Sequence, residues 1–256
     1  RRSSDLKWIK YCELMILGLS IRKCAEEVGV GVKTSFYMRH RILDVINLSL
    51  KNDKVEGIVE VDECFIKESF KGNHSKSTTF VMPRNPRKRG KGKNDKKKRG
   101  ISKEQICIET AIDRKGNILM SAVCNGRITT NQIINFFDNK ICEDATFCVD
   151  SHKSYMAIKD KLNIELKQVP RGKSMIDSVY HLQHINALHS SFKRWLMTFN
   201  GVSTKYINNY LAWFKFLQLS KKNKKNDRIK DMLVNVATKD TYVTRATIRN
   251  RFIELI

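Results

Sequence analysis

What most constrains the fold is the order in which the hydrophobic period changes between residues 55 and 199. VEGIVEVDECFI (55–66) alternates and is rich in β-branched residues, which reads as a strand. ICIETAIDRKGNILMSAVCNG (106–126) reads as two more strands around a turn at Lys115–Gly116–Asn117. NQIINFFDNKI (131–141) takes a helical period, with Thr130 placed to cap it. ATFCVDS (145–151) is a short buried-strand run ending in Asp150. A short helix is expected over 154–162 and a strand in IELKQVP (164–170), and HLQHINALHSSFKRW (181–195) closes the series as a helix. The order β-β-β-α-β-α-β-α defines an α/β unit, a mixed sheet with helices on both faces. It is the order of the ribonuclease-H-like fold, pieces of which other α/β folds share.

Around this unit the chain is helical. In SIRKCAEEVGVGVKTSFYMRHRILDVI an amphipathic stretch stops at Gly29 and a second helix starts near Lys33. Ala25 followed by Gly29 is helix-turn-helix spacing, a small residue for close contact and then a turn glycine. Ile21, Ala25 and Val28 are expected to face Phe36, Leu43 and Ile46, leaving Lys33, Thr34, Ser35 and Arg41 to meet DNA. Three regions are expected: a helix-turn-helix DNA-binding domain (1–50), a ribonuclease-H-like α/β domain (55–219) with a basic insertion (83–104), and a basic linker with a C-terminal helical segment (220–256).

Charge points to the partner. The 49 Lys+Arg outnumber the 26 Asp+Glu, a net +23, which suits a polyanion and suits few metabolic substrates. From Arg84 to Arg99 ten cations face Asp95 alone, with no apolar residue between them. Arg87, Lys88, Arg89, Lys97, Lys98 and Arg99 in that run read as a sequence-blind phosphate clamp. KKNKKNDRIK (221–230) reads as a second basic run and a linker. No apolar run is long enough to span a bilayer and no signal peptide opens the chain, so a cytoplasmic protein is expected. The seven cysteines are scattered singly and read as reduced, buried small hydrophobes.

A basic surplus brings DNA in but does no chemistry. Asp62 lies inside the first strand and Asp150 ends the buried one; in a sheet of this order those strands are neighbours. Paired carboxylates and phosphate oxygens are what Mg²⁺ or Mn²⁺ accepts, and two such ions can assist both the attacking and leaving oxygens of phosphoryl transfer. Glu63 should face the opposite way. On the closing helix Gln183, Asn186, His189, Ser190 and Lys193 fall on one polar stripe. Ile185, Leu188, Phe192, Trp195, Leu196 and Phe199 form an apolar stripe beside it. His181 and His184 lie off the polar stripe and lack the spacing of a zinc motif.

These residues resemble the DDE transposase superfamily, in the insertion-sequence branch where Asn replaces the third acid, an Asp-Asp-Asn-Lys arrangement related to Merlin elements. The strings that carry the resemblance are VEVDECFI, FCVDSHKSY and YHLQHINALHSSFKRWLMTFNGVSTKYINNYLAWF. The resemblance implies a DNA transposase acting on double-stranded terminal repeats and target DNA as a homodimer or higher oligomer. Asp62, Asp150 and Asn186 would hold the metal, Lys193 would touch the phosphodiester, and His189 would lie against DNA. Two rivals share the sequence signature: a same-fold nuclease that cuts without joining, and a non-catalytic, domesticated DNA-binding protein. Related proteins often carry a zinc ribbon upstream; none is expected here, and no zinc.

Overall fold

A computed structural model describes all residues except 1, 51–52, 74–79, 84–99, 151–152, 171, 173–174 and 239–241. The expected phosphate clamp, with Arg87, Lys88, Arg89, Lys97, Lys98 and Arg99, lies outside the described residues. The chain begins with helices α1 (Arg2–Ile16), α2 (Ile21–Val28) and α3 (Val32–Ser49). Strands β1 (Ile58–Lys67), β2 (Gln105–Asp113) and β3 (Ile118–Asn125) follow, then α4 (Thr130–Phe137) and β4 (Thr146–Val149). Helices α5 (Lys153–Met156) and α6 (Lys159–Leu162) lead to β5 (Glu165–Gln168) and a small hairpin, β6 (Met175–Ile176) with β7 (Tyr180–His181). The C-terminal part holds α7 (Gln183–Met197), α8 (Ile207–Leu219), α9 (Lys225–Thr238) and α10 (Arg245–Arg249).

The main sheet has the order β3-β2-β1-β4-β5. The first three strands are antiparallel neighbours, and β4 and β5 run parallel to β1. This is the ribonuclease-H-like arrangement, and it follows from the chain order: hairpin turns can join only antiparallel strands, whereas the helical crossovers bring β4 and β5 in parallel. The tightest turn is the one at Gly116, whose φ of 95° needs a glycine. There Asp113 accepts from the backbone N–H and side-chain amide of Asn117 at 2.9 and 2.7 Å.

Alternation along β1 sorts the two faces. Val59, Val61 and Phe65 pack toward Ile133, Phe136, Phe137, Tyr155 and Ile158, the side covered by α4 to α6. Cys64 packs the other way, against Leu188, Phe192, Leu211 and Phe214 of α7 and α8. A third core joins the ends of the chain, with Tyr11, Met15, Ile42 and Ile46 meeting Tyr210, Trp213 and Met232. The N- and C-terminal helices thus share one interior. Part of the expected basic linker is helical too, since α9 begins at Lys225 and buries Ile229 and Met232; the charges of that run occupy its wet face. Helix α4 is capped one residue earlier than expected, at Thr129, whose backbone N–H donates to Gln132 Oε1 at 3.0 Å. His181 belongs to the β6–β7 hairpin and not to the long helix.

The α2–α3 turn follows local rules. Ser20 caps α2, and Gly29 closes it in the left-handed region (φ 65°) with Val30 N–H reaching Ala25 O at 3.0 Å. Ser35 does not face outward as expected. It is fully buried, donating to Ile21 O at 2.8 Å and lying 2.8 Å from the Tyr11 hydroxyl, so it ties α3 to α1 and α2. Ile21 and Phe36 are only half-buried; Cys24, Ala25, Val28, Met38 and Ile42 fill that core. Arg39 is buried as well, donating to Leu19 O and stacked 5.0 Å from the Trp213 ring. Two of its nitrogens lack partners. Arg39→Met should therefore fold with stability within about 1.5 kcal/mol of the parent, whereas Arg39→Ala, which also empties the stem's volume, should cost about 3 kcal/mol or more by urea unfolding.

Candidate active site

The site is built where β1, the end of β4 and α7 meet. The parallel β1–β4 ladder pairs Glu60 with Cys148. Two residues on from that pair come Asp62, within β1, and Asp150, the first residue after β4. Adjacent strands lie about 4.8 Å apart, and a period of two keeps both residues on the face of their register partners. Phe147 and Val149 face the opposite side, so Asp150 emerges on the α7 face, as Asp62 does. Asp62 carries the electrostatic mark of this crowding. Burial pushes its pKa up from 3.8 to about 7, and the negative charges of Glu63 and Asp150 push in the same direction while Lys193 opposes them. Glu63 itself is turned to the far face with Val61 and Phe65. It stands opposite the buried Glu109, whose carboxylate accepts from the Tyr155 hydroxyl at 3.0 Å.

Helix α7 runs along β1 in step with it. Ile185 N–H donates to Glu60 Oε2 at 3.0 Å; His189 Nδ1 lies 3.6 Å from Asp62 Oδ2; and Lys193 acts on the Cys64 thiol, whose pKa burial lifts to about 11 and Lys193 draws back. Two residues of strand advance about 6.6 Å and four of helix about 6.0 Å, so this register holds over three successive contacts. The apolar stripe docks as expected through Ile185, Leu188 and Phe192. Asn186 sits one turn before His189 on the same stripe as Lys193, exposed at the rim, and makes no hydrogen bond to either aspartate among the described residues.

His189 differs from its expected DNA-facing position. It is buried, at 7% exposure, because the helix leans its border residue onto Asp62. Burial, and then the Lys193 charge, lowers its pKa to about 4, so it is neutral at pH 7. Its Nε2 has no partner. Of the residues expected to contact DNA from α3, Lys33, Thr34 and Arg41 are exposed.

Glu60 is the residue that sequence reasoning passed over. Its side chain is 1% exposed, yet it holds the first turn of α7 from inside the sheet. Besides Ile185 N–H it binds the Arg114 guanidinium and lies 2.7 Å from His184 Nδ1 and 3.3 Å from His181 Nδ1. The signal was present: Glu60 has the same parity as Asp62, so an acid two residues away had to enter the same face. One carboxylate oxygen and two imidazole nitrogens within 4.8 Å of one another are also a conceivable metal trio. Arg114 decides against it, because its cation already compensates the carboxylate and faces His184.

The donors around Asp62 are different in kind. Two carboxylates and a nearby carboxamide are hard oxygen ligands, and a carboxyl whose pKa is raised by burial, and further by neighbouring carboxylates, is one whose ionised form a bound cation would stabilise. That set fits Mg²⁺ or Mn²⁺.

A sequence profile of the ISXO2-like transposase domain matches residues 54–218, well over half the chain and the whole of the sheet with α7 and nearly all of α8. The chain belongs to the ISXO2-like transposase family. No curated protein matches it. Among solved structures, this transposase is similar to the pre-cleavage Mos1 transpososome, with 14% identity over 87% of this chain and 76% of that one (TM-score 0.30). It is similar also to the Mos1 strand transfer complex, with 15% identity over 88% and 75% (TM-score 0.30). No helix among the described residues is long and apolar enough to cross a membrane.

Proposed function

We propose that this transposase cleaves the ends of a mobile element and joins them to target DNA, as a member of the Asp-Asp-Asn-Lys branch related to Merlin elements. The observation that supports the reading is the parallel pairing of β1 with β4, from which Asp62 and Asp150 follow two residues on, together with the Asp150 charge felt by Asp62. Asp62, Asp150 and the Asn186 carboxamide are the residues to hold a divalent cation. That cation supplies Lewis acidity to the phosphodiester when bound. Lys193, on the same stripe, places a positive charge where a non-bridging phosphate oxygen would lie. Neutral His189 packs beside the Asp62 carboxylate, at 3.6 Å, without pairing its charge. Lys33, Thr34 and Arg41 on α3 recognise double-stranded terminal repeats, and the run around 84–99 grips the backbone without reading sequence. Two ends must be held together for joining, so a dimer or higher oligomer forms on DNA, in the cytoplasm of a prokaryote.

The test is strand cleavage of end DNA with Mg²⁺ or Mn²⁺. Asp150→Asn should abolish nicking, by more than about a thousand-fold, and leave DNA affinity within about twofold, because Asp150 is at the rim and supports no core. Asn186→Ala should lower the rate at least tenfold with an unchanged melting temperature. An unmutated protein that binds its ends and never nicks them would show the enzyme reading to be wrong, and one that nicks without joining would be a nuclease.

A further inference from the structure

A second feature of the molecule is absorbed by none of the chemistry above. Between α3, the segment after β1 and the C-terminal coil runs an open groove of about 800 Å³. It continues under the start of α2 and α3 into a cavity of about 550 Å³ that shares Lys33, Phe36, Lys71 and Tyr206 with it. No Asp or Glu among the described residues lines either part. Cations do: Arg251 is paired with Asp44, and the others in the groove meet no described carboxylate. Lys71 donates to Asn200 O at 2.6 Å and Lys205 to Arg249 O at 2.8 Å, so carbonyls fix both ammonium groups without cancelling their charge. Lys33 and Arg249 are exposed and no described carboxylate pairs with them. Burial and then the Arg249 charge depress the Lys205 pKa.

Aromatic rings alternate with these charges. Phe36, Tyr37 and Phe80 are half-buried in the groove wall, and Phe252 lines it at 84% exposure. An exposed phenylalanine beside unpaired cations has no packing reason to be there. A duplex backbone needs cations alone; cations interleaved with rings at groove depth suit a strand whose bases are out of the stack, phosphates on the charges and bases on the rings.

We propose that this groove binds an unpaired stretch of DNA strand, with phosphates on Lys71, Lys205 and Arg249 and a base on Phe252. The inference deepens the transposase reading and rests on it. It names what happens to the strand next to the cut, since β1 carries Asp62 and runs on to Lys71, and Lys205 leads from α7 into α8.

The test uses the full chain and fluorescence anisotropy with three probes of one sequence: single-stranded DNA, single-stranded RNA and blunt duplex DNA. Phe252→Ala, which removes a ring that is itself exposed while its neighbours Arg251 and Ile253 keep their contacts, should weaken single-stranded DNA binding about 5- to 100-fold and leave duplex binding unchanged. Arg249→Gln should reduce the salt slope for the single strand by about 0.7. A Phe252→Ala protein that holds single-stranded DNA as tightly as the parent overturns the groove, and so does a parent that prefers RNA. Metal-dependent cleavage measured on the same protein separates the two readings: an active enzyme with an indifferent Phe252 loses only the groove, and an inactive one loses the transposase reading.

Discussion

Asp62→Asn is expected to abolish metal-dependent cleavage, by more than about a thousand-fold, and yet to raise the melting temperature of the metal-free protein. The two effects have one cause. In the folded protein the Asp62 pKa is about 7 against an ordinary 3.8. Between about pH 4 and pH 7 the folded state keeps a proton that the unfolded chain has released. Stability therefore falls as pH rises through that window, and above it the ionised carboxylate carries its full cost. At 1.36 kcal/mol per pKa unit that cost reaches about 4 kcal/mol at most. Asparagine keeps the volume and removes the charge, so at pH 8 the variant should melt several degrees higher, and at pH 5 much of that difference should be gone. Mn²⁺ should stabilise the parent and leave the variant unmoved. A variant that melts lower than the parent at pH 8 would mean that the carboxylate is held by a structural partner, and the metal-site reading would fall with it.

The sheet was legible because its information is local. Each strand announces itself through β-branched alternation, and chain order then dictates which strands can be antiparallel. The placement of Asp62 and Asp150 on neighbouring strands followed from the same order. Residues at the border between two faces were harder. Ser35 and His189 each lie on a helix edge, where about 100° per residue leaves either side available. Which side wins depends on a partner far away in sequence: Tyr11 and Ile21 O for Ser35, Asp62 for His189. Charge misled in one place, for the lysines of 221–230 suggested a linker and hid the apolar stripe of α9. The shared core of the N- and C-terminal helices is a long-range pairing that no local pattern encodes. Glu60 was missed for a related reason. A charged residue among valines looks like an exception, and its four partners come from three separate segments.

Glu60 supports the second large prediction. Glu60→Ala should destabilise the protein by about 3–5 kcal/mol in urea unfolding, because removing the buried anion strands the Arg114 cation and leaves Ile185 N–H without its acceptor. Glu60→Gln retains an oxygen for Ile185 and should lose less than half as much. The effect on activity follows from what the carboxylate holds. It fixes the first turn of α7, and Asn186 is the next residue after Ile185, so a loosened turn lets the third metal ligand drift. Cleavage by Glu60→Gln should therefore show a lowered kcat with DNA affinity intact, partly recovered by raising Mn²⁺, since a weakened ligand set is refilled by mass action. Zn²⁺ distinguishes the rival role. If Glu60, His181 and His184 formed a metal site, micromolar Zn²⁺ would raise the melting temperature of the parent and not of Glu60→Gln. With Arg114 as the resident cation, Zn²⁺ should leave that temperature unchanged. Arg114→Met should then lower it, because the carboxylate is left buried without a counter-charge. The outcome decides whether the cluster beside the active site binds a ligand or, as its guanidinium indicates, holds the active-site helix in register.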